Sequence, residues 1–190
     1  RTVVSNPSSC AVASYLLVPA GGQGVRLGGG VPKQFRRWGD RPLLQATLEA
    51  FFAPGMPPLA GIALAVPEDR VADVRAWTFP VPLWVVPGGS TRQASVQAAL
   101  AALPEEPDLP VMIHDGVRPF PPVEPIREAL ACLGLWDGVL LGEPSTDTLK
   151  RIDGEGRVVA TEPRSEIYRA QTPQIALLST WRRAFAWARE

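Results

Sequence analysis

The sequence predicts an α/β fold: a Rossmann-like, doubly wound and mainly parallel sheet with a protruding β-hairpin arm. Short apolar runs alternate with amphipathic stretches along most of the chain, as in a sheet whose strands are joined by helices. The apolar runs are nearly continuous, which is typical of strands covered on both faces. Strand–helix alternation of this length favours right-handed crossovers and therefore a parallel sheet.

Five apolar runs are predicted as strands, at residues 15–20, 61–67, 82–88, 109–115 and 137–144. The stretches that place apolar residues at helical spacing are predicted as helices, at residues 41–52, 68–78, 90–103, 121–134 and 176–190. The helix at 90–103 opens on a Ser/Thr cap, and the helix at 121–134 is expected to end at Gly134.

Residues 145–170 depart from this pattern. The segment 147–163 contains two short strand-like runs around "DGEG", which predicts a hairpin with glycine turn chemistry. It is more polar than a core hairpin, so we expect an arm that packs on a partner. The remainder is expected to form one domain, with residues 1–13 as a tail.

Composition excludes several classes of function. Lys plus Arg and Asp plus Glu number 19 each, so the net charge predicts neither a nucleic-acid partner nor an anionic membrane surface. No apolar run approaches the roughly 18 residues that span a bilayer, and the first residues lack the order of a signal peptide. Cys10 and Cys132 are too few for a disulfide framework, which favours a reducing, cytoplasmic compartment.

A glycine-rich loop follows the first predicted strand. Gly21, Gly22 and Gly24 allow backbone N–H groups to approach a phosphate without Cβ obstruction. Arg26 and Lys33 add two positive charges seven residues apart. The loop therefore predicts phosphate binding, although a flexible loop without a ligand has a similar composition.

Two better-known phosphate loops do not match. A P-loop places lysine before Ser or Thr, whereas Lys33 follows Pro32 and precedes Gln34. A dinucleotide fingerprint needs glycine where Leu27 stands, and Gly28 is one residue late.

Two further clusters contain polar or charged residues. Asp115, at the end of a predicted central strand, suits either Mg²⁺ or a turn before glycine, and Arg118 is a candidate anion clamp. His114 is predicted to be a packing residue. Ser90 and Ser95 stand near a helix N-terminus, which fits anion binding or an ordinary cap. Several of these clusters follow strand ends and are expected to meet at one sheet edge.

These motifs together resemble the 2-C-methyl-D-erythritol 4-phosphate cytidylyltransferase family of the sugar-phosphate nucleotidyltransferase superfamily. "PAGGQGVRLGGGVPKQF" is similar to that family's PAAGxGxRM…PKQ signature, and "HDGVRP" to its HDAARP. "GGSTRQASV", "DTLKR" and "TPQ" resemble further family segments in the same order. The resemblance spans residues 14 to 175.

The resemblance implies cytidylyl transfer from CTP to methylerythritol phosphate in isoprenoid biosynthesis, with Mg²⁺ and release of pyrophosphate. It implies charge stabilisation by Arg26 and Lys33, and a metal and nucleotide ligand in Asp115. Further nucleotide-binding positions follow from the resemblance or from the glycine loop. They are Ala20, Gly21, Gly22, Gly24, Gly89, Ser90 and Ser95. The substrate-binding positions are Thr148, Arg164 and Thr172, with Thr148 and Arg164 reaching across a homodimer interface.

The sequence departs from the family pattern at three places. Gly21 replaces the second alanine of PAAG, and Ser90 stands where an acidic residue is common. The sequence is also expected to lack the C-terminal part of the family fold, which bears a Thr-Asp pair and a lysine. A non-catalytic nucleotide-binding module is therefore an alternative.

Two enzyme alternatives also remain at this point. A ribitol-5-phosphate cytidylyltransferase shares these motifs. A nicotinamide-dependent oxidoreductase would need a ribose-binding acid, for which Glu68 and Asp69 are candidates.

Overall fold

The computed structural model describes residues 12–22 and 30–188. Its centre is a six-stranded sheet. The strands of this sheet are β1 (Ser14–Pro19), β4 (Leu59–Val66), β5 (Leu83–Pro87), β6 (Pro110–Ile113), β7 (Gly138–Pro144) and β10 (Tyr168–Leu177). Across the sheet they lie in the order β5-β4-β1-β6-β10-β7.

The sheet is mainly parallel. β1 pairs in parallel with β4 and β6, and β4 pairs in parallel with β5. β10 lies between β6 and β7 and runs antiparallel to both. Its ladder with β7 is interrupted between Ala170 and Gln174, so residues 171–173 leave the regular pairing beside the end of β6.

In residues 12–22 and 30–188, five α-helices cover the sheet on both faces. They are α1 (Leu43–Glu49), α2 (Val71–Arg75), α3 (Arg92–Ala102), α4 (Val123–Ala131) and α5 (Leu178–Trp187). Alternate residues of β1 point to opposite faces, so Leu16 and Val18 pack with α1, α2 and α4. Tyr15 and Leu17 pack on the other face with α3 and α5. A strand buried on both sides explains the continuous apolar runs in the sequence.

The arm is a separate two-stranded sheet. β8 (Lys150–Ile152) pairs antiparallel with β9 (Val158–Thr161), and Gly156 takes a positive φ of 82° in the turn. A second small hairpin joins β2 (Arg37–Trp38) to β3 (Arg41–Pro42) directly before α1.

The structure confirms the predicted α/β class, the five predicted strands and the hairpin. The expected glycine stop is wrong, because α4 ends at Ala131 and Gly134 does not have a positive φ. The predicted helix at 68–78 is only partly α-helical, since a 3₁₀ turn at Glu68–Arg70 precedes the short α2. β10 was not among the strands predicted from the sequence. None of the helices in the described part of the chain has the length and apolar character to cross a membrane.

Candidate active site

A cleft of about 1290 Å³ opens at the carboxyl edge of the sheet. The segments that follow β1, β4, β5 and β6 all contribute to its walls, as expected for an open α/β sheet. The cleft-lining residues that matter below are Ala20, Gly21, Gly22, Lys33, Gln34, Gly88, Gly89, Ser90, Arg92, Ser95 and Asp115.

Two glycines from different loops touch at the floor of the cleft. A Cβ atom on Gly88 would lie 2.7 Å from the Cα atom of Gly21, and a Cβ on Gly21 would lie 2.9 Å from the Cα of Gly88. A Cβ on Gly89 would lie 2.4 Å from the Cβ of Ala94. Side chains on Gly21 or Gly88 would force the two loops apart, and one on Gly89 would clash with Ala94, so the glycines let the backbone itself line the cleft.

The start of α3 is held by local hydrogen bonds. Thr91 is the N-cap, and its Oγ1 accepts from the backbone N–H of Ala94 at 3.0 Å. The buried Ser95 hydroxyl lies 3.0 Å from the carbonyl oxygen of Thr91 and accepts from the N–H of Gly89 at 3.1 Å. An ordinary cap is therefore confirmed for Thr91. Ser90 is exposed and lines the cleft.

Gln34 connects the glycine loop to the turn that carries Lys33. Its Nε2 donates to the carbonyl oxygen of Ala20 at 2.8 Å and to that of Gly22 at 2.7 Å. Gln34 is buried, whereas the neighbouring Lys33 is exposed and faces the cleft. One amide group therefore fixes the start of the loop relative to the cation.

Asp115 lies between two arginines that come from different elements. Its Oδ1 is 3.3 Å from Nη2 of Arg92, the first residue of α3. Its Oδ2 is 3.2 Å from Nε of Arg118, which also donates to Gln171 of β10. One arginine on each oxygen fixes the carboxylate plane, and the two arginines together carry more charge than the one carboxylate between them.

His114 is buried behind Asp115. Its Nε2 is 3.0 Å from the carbonyl oxygen of Arg118, and its Nδ1 is 3.0 Å from Oγ1 of Thr172. The ring packs edge-on against Phe51 at a centroid distance of 5.0 Å. Burial is the main cause that lowers the pKa of His114 below its usual value of 6.5. The prediction that His114 is a packing residue is confirmed.

The structure brings most of the predicted nucleotide-binding residues to one cleft. Lys33 and Asp115 line it together with Ala20, Gly21, Gly22, Gly89, Ser90 and Ser95. Thr172 lies next to Asp115, whose N–H is 3.4 Å from the Thr172 hydroxyl oxygen. The predictions for Gly24 and Arg26 fall outside the described residues.

Thr148 and Arg164 lie elsewhere. Both are exposed, near the arm, and neither lines the cleft. Arg164 donates through Nη1 to the carbonyl oxygen of Thr146 at 3.4 Å. Within the described part of this single chain, the predicted substrate-binding residues are therefore divided between the neighbourhood of Asp115, where Thr172 lies, and the region of the arm.

Three cleft residues, Gln34, Gly88 and Arg92, were not among the predicted site residues. The contact of Gly88 with Gly21 and the ion pair of Arg92 with Asp115 join positions that are far apart in the sequence. All three lie within the sequence motifs that resemble the family, and this was the one feature that could have indicated them.

The family model for 2-C-methyl-D-erythritol 4-phosphate cytidylyltransferase matches residues 14–190. The chain belongs to this family. That membership covers the whole sheet and every element that lines the cleft.

Known relatives agree with the family assignment. A 2-C-methyl-D-erythritol 4-phosphate cytidylyltransferase of Xanthomonas campestris pv. campestris is 41% identical over 167 residues, which is 85% of this chain and 62% of the relative. One of Xanthomonas axonopodis pv. citri is 42% identical over 168 residues, which is 85% of this chain and 61% of that protein. The chain thus spans less than two thirds of the length of these curated relatives.

Solved structures of the family share the fold. The 2-C-methyl-D-erythritol 4-phosphate cytidylyltransferase of Thermus thermophilus is 30% identical with a TM-score of 0.67, covering 95% of this chain and 77% of that one. The corresponding protein of Francisella tularensis is 27% identical with a TM-score of 0.74, covering 92% and 77%.

Proposed function

We propose that the protein transfers a cytidylyl group from CTP to 2-C-methyl-D-erythritol 4-phosphate in isoprenoid biosynthesis. A phosphate oxygen of the acceptor forms a bond to the α-phosphorus of CTP. The bond between that phosphorus and the bridging oxygen to the β-phosphate breaks, and pyrophosphate leaves with the bonding electrons. The observation that supports this reaction best is the single cleft in which the glycine loop, Lys33 and Asp115 meet.

Charge stabilisation is the main task that the reaction sets for the protein. Phosphoryl-type transfer is catalysed chiefly by positioning and by cations placed where negative charge develops. Lys33 is suited to this task because it is exposed to the cleft and held beside the glycine loop by Gln34. Arg26 is proposed to act with Lys33 on the triphosphate.

The nucleoside is proposed to bind where the two glycine pairs meet. Gly21 and Gly88 expose backbone there, and the Ser95 hydroxyl stabilises the turn at Gly89. Ala20 and Ser90 complete this wall. Backbone groups of fixed position suit a flat base and a ribose, since both present hydrogen-bonding edges of fixed geometry.

Mg²⁺ is the proposed cofactor, and Asp115 is its proposed protein ligand. Mg²⁺ usually binds through one or two carboxylates together with substrate phosphates. The described residues contain no group of three or more His, Cys, Asp or Glu that would hold a metal by themselves. The cleft-facing carboxylate of Asp115 therefore fits an ion that arrives with the nucleotide and would neutralise phosphate charge. Binding would require Asp115 to release at least one of its arginines.

The arm is proposed to complete the substrate site of a second copy in a homodimer. Ile152, Val158 and Val159 on the arm are each more than half exposed, as is Leu140 on the edge strand β7. Exposed apolar residues of this density are typical of an interface. Thr148 and Arg164 would then reach the acceptor phosphate in the neighbouring copy. We also propose a cytoplasmic location, in keeping with the two cysteines of the sequence.

The test is pyrophosphate release from CTP and methylerythritol phosphate by wild type and Lys33→Ala. Losing one charge-stabilising contact is expected to reduce kcat by about 10²–10³-fold or more. Arg127→Ala is the matched control, because this exposed cation lies on α4 and does not line the cleft. Near-normal turnover in Lys33→Ala would refute the role of Lys33, and a clear preference for ribitol phosphate would refute the acceptor.

A further inference from the structure

Lys33 lies on a turn that is held by more than one contact. Residues Lys33–Phe35 form a 3₁₀ turn, and the middle residue, Gln34, bonds the glycine loop. The next side chain, Phe35, is partly buried and packs against the core beneath α1, α2 and α4. Three consecutive residues therefore serve the cleft, the glycine loop and the core. A contact to Phe35 consequently acts on the backbone that carries Lys33.

Arg70 makes such a contact from a different loop. It ends the 3₁₀ turn at Glu68–Arg70 that follows β4, and its guanidinium carbon, Cζ, lies 5.5 Å from the centroid of the Phe35 ring. A guanidinium group within about 6 Å of an aromatic centroid is attracted by the negative face of the ring. Because the Phe35 turn comes after β1, this contact joins two loops that follow different strands of the sheet.

Two carboxylates orient the guanidinium group of Arg70. Its Nε lies 3.6 Å from Oδ2 of Asp69, and its Nη1 lies 3.6 Å from Oδ2 of Asp73, in the first turn of α2. Ion pairs of this length between partly exposed side chains add little to stability. Their effect here is to hold a planar cation from two directions, which keeps it over the Phe35 ring.

A cavity of about 530 Å³ lies beside this contact. The described residues that line it are residues 30–32, which precede the lysine turn, and Pro67, Asp69 and Arg70 from the loop after β4. Atoms that line a cavity lack packing partners on that side. Arg70 therefore bridges the two loops through Phe35 at a place where the cavity separates them.

We infer that Arg70 is a positioning residue that fixes Lys33 at the cleft through Phe35. Arg70 is not among the described residues that line the cleft, so it acts on the reaction through Lys33 and not by touching the nucleotide. The inference rests on the proposed function for the task of Lys33, whereas the ordering of the turn by Arg70 does not. A cation–π contact at a partly exposed site changes an equilibrium by about two- to fivefold, and we expect an effect of that size.

The first test needs no substrate. Lys33 and Lys150 are the two lysines of the 190-residue sequence, so ¹⁵N-lysine labelling gives two backbone amide signals, which Lys150→Arg assigns. Arg70→Met keeps an unbranched side chain but removes the cation. In this variant the heteronuclear NOE, which reports order on the ps–ns timescale, should fall for Lys33 and stay unchanged for Lys150. Arg70→Lys keeps a cation and should retain most of the wild-type order.

The NMR outcomes decide the structural half of the inference. An unchanged Lys33 amide in Arg70→Met would overturn it. A fall at both lysine amides would indicate general loss of structure and would also count against it.

The second test is a double-mutant cycle with Lys33. Pyrophosphate release from CTP and methylerythritol phosphate is measured for wild type, Arg70→Met, Lys33→Ala and the double variant. Arg70→Met should lower kcat by about two- to fivefold in wild type. It should cause no further loss in Lys33→Ala, because the residue that Arg70 positions is then absent. Arg70→Lys should recover most of the activity. The same factor in both backgrounds would overturn the inference, since Arg70 would then act independently of Lys33.

Arg127→Met is the matched control. Arg127 is an exposed arginine on α4 that pairs with Glu124, three residues away, as Arg70 pairs with Asp73, and it does not line the cleft. We expect the NOE values and kcat of this variant to equal those of wild type. If wild-type protein cytidylylates no polyol phosphate, the proposed function is wrong, and the NMR comparison still decides whether Arg70 orders Lys33.

Discussion

Gln34 is the residue whose replacement probes most directly how the glycine loop is held. Its amide donates two hydrogen bonds, at 2.8 and 2.7 Å, to carbonyl oxygens at the start of the loop. Gln34→Met keeps the length of the side chain and removes both donors. Gln34→Glu also keeps the shape, but it places an acceptor-only carboxylate against two carbonyl oxygens.

The size of the effect follows from these two bonds. Each neutral hydrogen bond contributes about 0.5–1.5 kcal/mol, so Gln34→Met should cost about 1–3 kcal/mol. For a chain of this length that lowers Tm by roughly 2–12 °C. If the loss falls entirely on the loop conformation that binds ligand, CTP affinity weakens by about 5- to 150-fold. Gln34→Glu should lose more at about pH 8, because like partial charges are then forced together in a buried place.

Thermal unfolding and calorimetric titration with CTP measure both quantities. We expect the order wild type, Gln34→Met, Gln34→Glu in both Tm and affinity. Lowering the pH should narrow the gap between the two variants, since a protonated carboxyl regains one donor. Wild-type Tm and CTP affinity in Gln34→Glu, or a higher Tm in Gln34→Glu than in Gln34→Met, would refute the proposed role of Gln34 in holding the glycine loop.

Three further predictions concern the same cleft. Gly88→Ala should lower the free energy of unfolding by about 1–3 kcal/mol, because the added Cβ would lie 2.7 Å from the Cα of Gly21. Gly134→Ala is the control, since its Cβ meets nothing within 4 Å and its stability should be unchanged. Equal Tm values for the two variants would contradict this prediction. Because burial lowers the pKa of His114, the unfolded chain binds that proton more readily, so the free energy of unfolding in urea should decrease as pH falls through about 6.5. A flat profile from about pH 7.5 to about pH 5.5 would count against the buried neutral ring. Asp115→Asn removes the negative charge that faces Arg92. CTP should therefore bind more tightly without metal, while turnover with Mg²⁺ should drop by more than about tenfold. Weaker CTP binding without metal would be inconsistent with the ion pairs of Asp115.

Local sequence patterns predicted the strands that are buried on both faces. β1, β4 and β6 are continuous apolar runs because helices cover them on each side. β10 was not predicted because its first residues are exposed and mostly polar, and because Pro173 interrupts the strand near its middle. Its place between β6 and β7 is set by tertiary pairing, and a single local window contains no signal for that.

The candidate site also contains features that local sequence predicts and features that it does not. Residues whose chemistry is read from type and position, such as Lys33 and Asp115, were predicted to meet at the sheet edge, and they do. The contact of Gly21 with Gly88 and the pairing of Arg92 with Asp115 depend on how distant segments approach. Only the folded chain brings these pairs together, so the sequence alone gave no distance between them.

The central claim is that this cleft joins CTP to a polyol phosphate. The direct measurement is the product of wild-type protein incubated with CTP, Mg²⁺ and 2-C-methyl-D-erythritol 4-phosphate, followed by ³¹P NMR. The account predicts one new diphosphate linkage between cytidine and the polyol for each pyrophosphate released, and no pyrophosphate when the acceptor is omitted. Pyrophosphate release that does not depend on the acceptor, or the absence of the linked product, would contradict it.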